Sequence, residues 1–120
     1  MRLERGRLWE SRAAAYLESC GLTVLARGYR CRLGEIDLVC QDERHLVIVE
    51  VRARSSGALC SAVDSIGAHK RRRIVLATRH LLMRHSHWQA APIRFDVVAF
   101  DAIDQAEPEV RWIKNAFDCS

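Results

Sequence analysis

The stretch LGEIDLVCQDERHLVIVEVRAR, residues 33–54, decides the fold. It holds two short apolar runs, 36–40 and 46–51, rich in Val, Leu and Ile and separated by a polar turn, which is the mark of two β-strands. The second run is apolar on both faces until Glu50, so it predicts a central strand covered on both sides. In the first, alternation places Ile36, Leu38 and Cys40 on one face and Glu35, Asp37 and Val39 on the other. Into these hydrocarbon strands the sequence inserts Asp37 and Glu50, and it closes on Arg52 and Arg54.

The turn length sets how the two acids meet. A four-residue turn, 42–45, pairs Gln41 with Leu46 and sets Asp37 opposite Glu50. A two-residue turn pairs Asp37 with Ile48 and leaves Glu50 on the diagonal. In either register the carboxylates share one face, with Cβ separations of about 4.5–8 Å. Period-2 alternation aims Arg52 at that side, and Glu35 joins from the neighbouring strand. Two like charges this close in a core require a cation or a proton. Mg²⁺ or Mn²⁺, held by one or two carboxylates plus water and phosphate, meets the need. An internal ion-pair network of Asp37, Glu50, Arg52 and Arg54 that only fixes strand register meets it too, and the residues alone leave both open.

Working outward, Trp9, Ala13, Tyr16 and Cys20 recur at helical spacing and predict a first helix over 7–20, stopped by Gly21. LTVLARGYRCR reads as a strand interrupted at Gly28. Residues 62–86 predict a long helix on which Val63, Ile66, Lys70, Ile74, Ala77 and Leu81 form one stripe. Lys70 breaks that apolar row; it either snorkels to solvent or points at the acids. Arg71, Arg72 and Arg73 rotate to other faces. IRFDVVAFD is a further strand, and VRWIKNAF a short terminal strand or extended segment. The order α, β, β, β, α, β and a tail predicts a mixed α/β architecture, with helices packed on a central sheet.

At 120 residues and 49% apolar content the chain fits a single domain, 1–120, with a core of its own. No apolar run approaches the roughly 18–20 residues of a membrane span, and the N-terminus alternates charges, so the expectation is a cytoplasmic protein with no membrane partner. Cys20, Cys31, Cys40, Cys60 and Cys119 are odd in number and include no C-x-x-C pair, which predicts reduced thiols. His69, His80, His85 and His87 match no recognised ligand spacing. The net charge of +4 is unevenly placed: residues 65–94 carry seven Lys or Arg and no acid, and residues 1–34 carry seven Arg against three Glu. Concentrated positive charge suits a polyanionic partner, nucleic acid above all.

GEIDLV followed by VIVEVRAR resembles the D…(D/E)-x-K core of restriction-endonuclease-like nucleases, in the arrangement of the YraN family of uncharacterised bacterial proteins, which is related to archaeal Holliday-junction resolvases. The likeness extends over WESRAAAYLESCGLTVLARGYR, Lys70, RFDVV at 94–98 and NAF at 115–117. It implies a restriction-endonuclease-like fold and a Mg²⁺- or Mn²⁺-dependent endonuclease acting on DNA, branched or junction DNA included. It further implies Asp37, Glu50, Glu10 and the Val51 carbonyl as metal ligands and Arg52 in the slot of the catalytic lysine; the concentrated positive charge makes Arg54, Arg71, Arg72 and Arg73 the candidate nucleic-acid contacts. The related resolvases are dimers, and an exposed sheet edge or the 112–117 tail offers a surface for a homodimer here, though the sequence does not demand one. The sequence departs from the family pattern at Trp9 (usually Gly), at Gly28 (usually Asn) and at Arg52. A guanidinium stays protonated and cannot serve as a general base, and Lys70 is the candidate to supply the missing amine. The competing readings are a nucleic-acid-binding protein on a nuclease fold with a degenerate site, and a scaffold in which the acids are structural.

Overall fold

In the computed structural model, which describes residues 2–118 and their side chains from residue 6 onward, the elements follow as α1 (Arg2–Ser19), β1 (Thr23–Cys31), β2 (Gly34–Gln41), β3 (Leu46–Ala53), α2 (Ala68–Arg84), a short 3₁₀ turn (Ser86–Trp88), β4 (Ile93–Asp101) and β5 (Glu109–Phe117). The five strands form one sheet in the order β1-β2-β3-β4-β5, so the 46–51 run lies in the middle strand as its two-sided apolar pattern requires. β3 and β4 are parallel, joined through α2, and the other pairs are antiparallel. This mixed sheet flanked by helices is compatible with a restriction-endonuclease-like fold.

Alternation along β3 sorts its side chains between two cores. Val47 and Val49 pack with Trp9, Ala13, Ala14 and Leu17 of α1, while Leu46 and Ile48 pack with Ile74, Val75, Ala77 and Leu81 of α2. A third cluster joins Ala62 and Ile66 to Val97 and Ala99 of β4. Each of these buried side chains contributes on the order of 1–3 kcal/mol, and together they fix the sheet against both helices.

Four expectations need correction. The helix predicted over 62–86 begins only at Ala68, because Gly67 at its N-cap is extended (φ −81°, ψ 175°) and residues 61–66 close turns of their own, such as Ser65 N–H to Ser61 C=O. Val63 and Ile66 still pack inward, from a turn instead of a helix. The first helix runs from Arg2 to Ser19 and not over 7–20; Gly21, whose φ of +97° suits a glycine cap, stops it as expected, but Cys20 lies past the helix end and is exposed instead of buried on the stripe. β1 is not interrupted at Gly28; it runs through it, with φ of +64° there. The alternation read along β2 also fails at its start. Leu38 and Cys40 face α1, but Ile36 packs under α2 together with Val39. The β2–β3 ladder explains this, since its pairs run from Gln41↔Leu46 to Leu38↔Val49 and no further, and the strand turns at Asp37. The terminal segment is a full nine-residue strand, kinked where Asn115 takes φ of +53°.

Among the described residues no helix is long and apolar enough to cross a membrane. Cys20, Cys31, Cys40 and Cys60 are free thiols, and Cys119 lies outside the described residues.

Candidate functional site

The site grows from the place where the β2–β3 ladder stops. Gln41 pairs with Leu46, so the turn is the four-residue one and the next step beyond Leu38↔Val49 sets Asp37 against Glu50. There a carboxylate replaces the ladder: Val51 N–H donates to Asp37 Oδ2 at 2.8 Å. On the other side of β2, β1 passes Asp37 at Gly28, between the pairs Arg27↔Leu38 and Tyr29↔Ile36, so no side chain from β1 crowds the acid.

Glu50 is buried, with 3% of its surface exposed, and its carboxyl lies within hydrogen-bonding reach of Asp37. Burial pushes the Glu50 pKa up to about 9, and the neighbouring Asp37 adds to the rise; the positive charges of Lys70 and Arg52 oppose it without prevailing. Asp37 and Glu50 thus meet as a closely set acid pair in which burial favours the protonated form of Glu50.

Lys70 supplies the nearest positive charge. It sits in the first turn of α2, and its Nζ lies 3.6 Å from Glu50 Oε2 and 3.8 Å from Glu35 Oε1. Of the two orientations open to it, the one toward the acids is the one adopted. Arg52 takes another role from the one its slot suggests. Although its charge is felt at Glu50, its Nε donates to Ser65 Oγ at 2.9 Å and its Nη2 to the Ser65 carbonyl at 3.3 Å. The fork is spent on holding the 61–66 turn over the end of β3, so the ion pair to Glu50 is made by Lys70, while Glu35 is shared between Lys70 and Arg30, whose Nε lies 3.3 Å from Glu35 Oε2.

Asp37 opens into a groove of about 730 Å³ lined also by Glu10, Glu35, Arg7, Arg27 and Arg30. Partial burial raises the Glu10 pKa, and the charges of Asp37 and Glu35 raise it further. Glu10 of α1 therefore stands in the same field as the strand acids. Gly34 begins β2 under α2, where a Cβ would stand 2.5 Å from the Arg73 carbonyl oxygen; only glycine allows the strand carrying Glu35 and Asp37 to approach the helix carrying Lys70 this closely. Of the arginines assigned to nucleic acid, Arg71, Arg72 and Arg73 are exposed on α2, whereas Arg54 is half-buried, its backbone bonded to Phe100 and Ile103.

Among the described residues no three His, Cys, Asp or Glu side chains gather tightly enough to cage a metal. The donors present suit a different kind of ion. Asp37, Glu50 and the Val51 carbonyl are hard oxygen ligands, two of them carboxylates, and Mg²⁺ is held in that fashion when it keeps water and takes its remaining ligands from phosphate. The buried acid pair, short of positive charge, fits such an ion, with Glu10 beside it.

A second acid escaped the reading of the sequence. Asp96 in β4 is fully buried and accepts from Arg94 Nε (2.9 Å) and Nη2 (3.0 Å), Trp112 Nε1 (2.8 Å) and Asn115 N–H (2.9 Å). Arg94 also reaches Asp42 Oδ2 at 2.9 Å, tying the β2–β3 turn to β4. The signal was there in RFD: two charges at a spacing of two on a strand share a face, as Glu50 and Arg52 do.

The model of the uncharacterised protein family UPF0102 matches residues 9–100. Relatives described as UPF0102 protein include one from Pseudomonas putida F1, 44% identical over 114 residues (95% of this chain and 93% of its own), and one from Pseudomonas aeruginosa LESB58, 43% identical over 116 residues (96% and 93%). Another, from Pseudomonas fluorescens Pf-5, is 42% identical over 113 residues (94% and 92%).

Proposed function

This chain belongs to the uncharacterised protein family UPF0102, and we propose that it is a metal-dependent phosphodiesterase acting on nucleic acid. One observation carries the reading. Asp37 and buried Glu50 stand side by side on adjoining strands, with Lys70 Nζ 3.6 Å from Glu50, at a groove rimmed by Arg7, Arg27 and Arg30. A core tolerates paired acids short of cations only at a cost, and the groove beside them brings three arginines to the same place as the acids Glu10, Glu35 and Asp37, so that a bound cation would leave the arginines to meet a phosphate.

Asp37, Glu50 and the Val51 carbonyl would hold Mg²⁺ or Mn²⁺, with Glu10 as the outer carboxylate. When bound, the ion supplies a Lewis acid that makes water more acidic and neutralises charge on the phosphate. The chain's own residues do the rest. Arg7, Arg27 and Arg30 bind and orient the backbone phosphates, and Arg71, Arg72 and Arg73 extend the positive surface along α2. Lys70, an ammonium partnered by Glu50 and Glu35, orients the attacking water through its N–H donors and offsets charge developing on the phosphate, a place the Arg52 guanidinium does not take because it is engaged with Ser65. DNA as the polymer, and branched or junction DNA within it, rests on the likeness to resolvases.

The test is calorimetric titration of Mg²⁺ and Mn²⁺ into wild type, Asp37→Ala and Glu50→Ala, with cleavage of linear and four-way-junction DNA followed on the same samples. The expected result is metal binding and metal-dependent cleavage in wild type and loss of both in each variant. Wild-type protein that binds neither ion and cuts neither DNA overturns the reading. A second reading, binding without chemistry, is favoured by the engagement of Arg52 with Ser65, and its signature is salt-dependent DNA binding with no turnover in Mn²⁺.

A further inference from the structure

A second groove, also of about 730 Å³, runs between α2 and the end of β5, and none of Glu10, Glu35, Asp37 and Glu50 lines it. Its floor is Val75, Leu76 and Phe117, its rim Arg71, Arg72 and Arg79, and Asp118 closes one end. The three arginines are exposed, and the sequence places no acid anywhere from 65 to 94. The N-terminus of α2 opens at Ala68 into the same groove. It has no acid in its first turn and no side-chain cap, so the helix dipole adds to the positive field.

Within the groove the rings are stacked in a column. Phe95 lies under Phe117 with centroids 5.1 Å apart and planes inclined by 17°, and the Arg71 guanidinium lies 5.6 Å over the Phe117 ring. The column therefore ends in a flat cation rather than in solvent-exposed hydrocarbon. Bases stack on guanidinium planes as well as on aromatic rings, while the neighbouring arginines suit the phosphates that flank such a base. A continuous duplex keeps its bases inside its own stack and offers this site only sugar–phosphate edges.

We propose that the α2–β5 groove binds an unpaired nucleotide, its base stacked on the Arg71–Phe117 pair and its phosphates held by Arg72 and Arg79. This rests on the phosphodiesterase reading for its choice of polymer and deepens it, because it makes the substrate one with unstacked nucleotides close to the point of attack. Lys70, which reaches the acids, and Arg71, which caps the column, are consecutive residues in one turn of α2, so a single strand crossing that turn would touch both sites.

The test is fluorescence anisotropy in EDTA, where cleavage cannot occur, with a labelled blunt DNA duplex and the same duplex carrying an unpaired extension. Wild type is expected to bind the extended probe tighter by about tenfold. Arg71→Lys keeps the charge but loses the planar stacking surface, and it is expected to abolish that preference, the two probes then binding with equal affinity. Phe117 also supports Phe95, so the floor is tested at half-buried Leu76 with Leu76→Glu, its fold checked by circular dichroism; it too should lose the preference. Equal affinity of wild type for the two probes, or a preference that survives in both variants, overturns the proposal. A preference that persists in wild-type protein unable to cleave DNA in Mg²⁺ or Mn²⁺ upholds the groove and sinks the phosphodiesterase reading alone.

Discussion

Replacing Glu50 by Gln should make the metal-free protein more stable at neutral pH while removing its function. The unfolded chain releases the Glu50 proton near the ordinary value of 4.5, whereas burial and Asp37 hold that proton in the fold up to about 9. Across that window the native state binds more protons than the unfolded one, so stability falls as pH rises. At about 1.4 kcal/mol per pH unit, the loss between pH 4.5 and 7 reaches about 3 kcal/mol. Gln has nearly the same shape and no proton to lose, so Glu50→Gln escapes the decline. For 120 residues, with an unfolding entropy of roughly 2.1 cal/mol/K per residue, 3 kcal/mol corresponds to a gain of about 12 °C in Tm at pH 7. The assay is thermal unfolding by circular dichroism in EDTA from pH 5 to 8, wild type against Glu50→Gln. The two curves should meet near pH 5 and diverge above it, and millimolar Mg²⁺ should raise wild type alone. Parallel curves, or a wild type whose stability climbs relative to the variant as pH rises, would refute the reasoning.

Two further outcomes follow from how the cations are shared. Lys70→Met should reduce metal-dependent cleavage by about 10²-fold or more, while Arg52→Lys should change it by less than about tenfold, because Arg52 is engaged with Ser65; single-turnover rates on a junction substrate separate them. Asp96→Ala removes a carboxylate that accepts four hydrogen bonds and leaves part-buried Arg94 with Asp42 as its remaining partner. It should cost about 3–5 kcal/mol, or roughly 12–20 °C in Tm, read by urea and thermal denaturation.

The architecture and the acid pair were legible for the same reason: both depend on period and sign. Two apolar runs around a polar turn gave the β2–β3 hairpin, and two-sided burial gave β3 its central place. The inward stripe on α2 carried Lys70 toward the sheet. The errors arose where one residue overrides a period. Ile36 changes face because the ladder ends at Asp37, and nothing in EIDLVC marks that break. The start of α2 at Ala68 depends on an extended Gly67, and a lone Gly costs a helix interior only about 1 kcal/mol, so its presence did not by itself mark the boundary. The Arg52–Ser65 bond joins β3 to a turn whose position depends on α2 starting late, so reading it required that boundary first. Asp96 was missed differently: its neighbour Arg94 shares its face, but Trp112 and Asn115 reach it from a strand far along the chain.

The two buried acids of this sheet, Glu50 and Asp96, separate structure from function by how their charge is met. Asp96 lies on β4 with both oxygens occupied by fixed donors from β4 and β5, including a two-pronged guanidinium, and leaves nothing for a ligand to do. Glu50 lies on the adjacent strand, equally buried, yet its neighbours are another carboxyl and one ammonium at 3.6 Å. A fold that can fully satisfy a carboxylate on one strand had the means to do so on the next. Apolar residues at 37 and 50 would pack the α2 side of the sheet at lower cost. A buried acid met by one ammonium, beside Asp37 at the edge of a groove that Arg7, Arg27 and Arg30 also line, is what a site for an exchangeable cation and a phosphate requires. The stability that Glu50→Gln should recover measures what the fold gives up to keep that site.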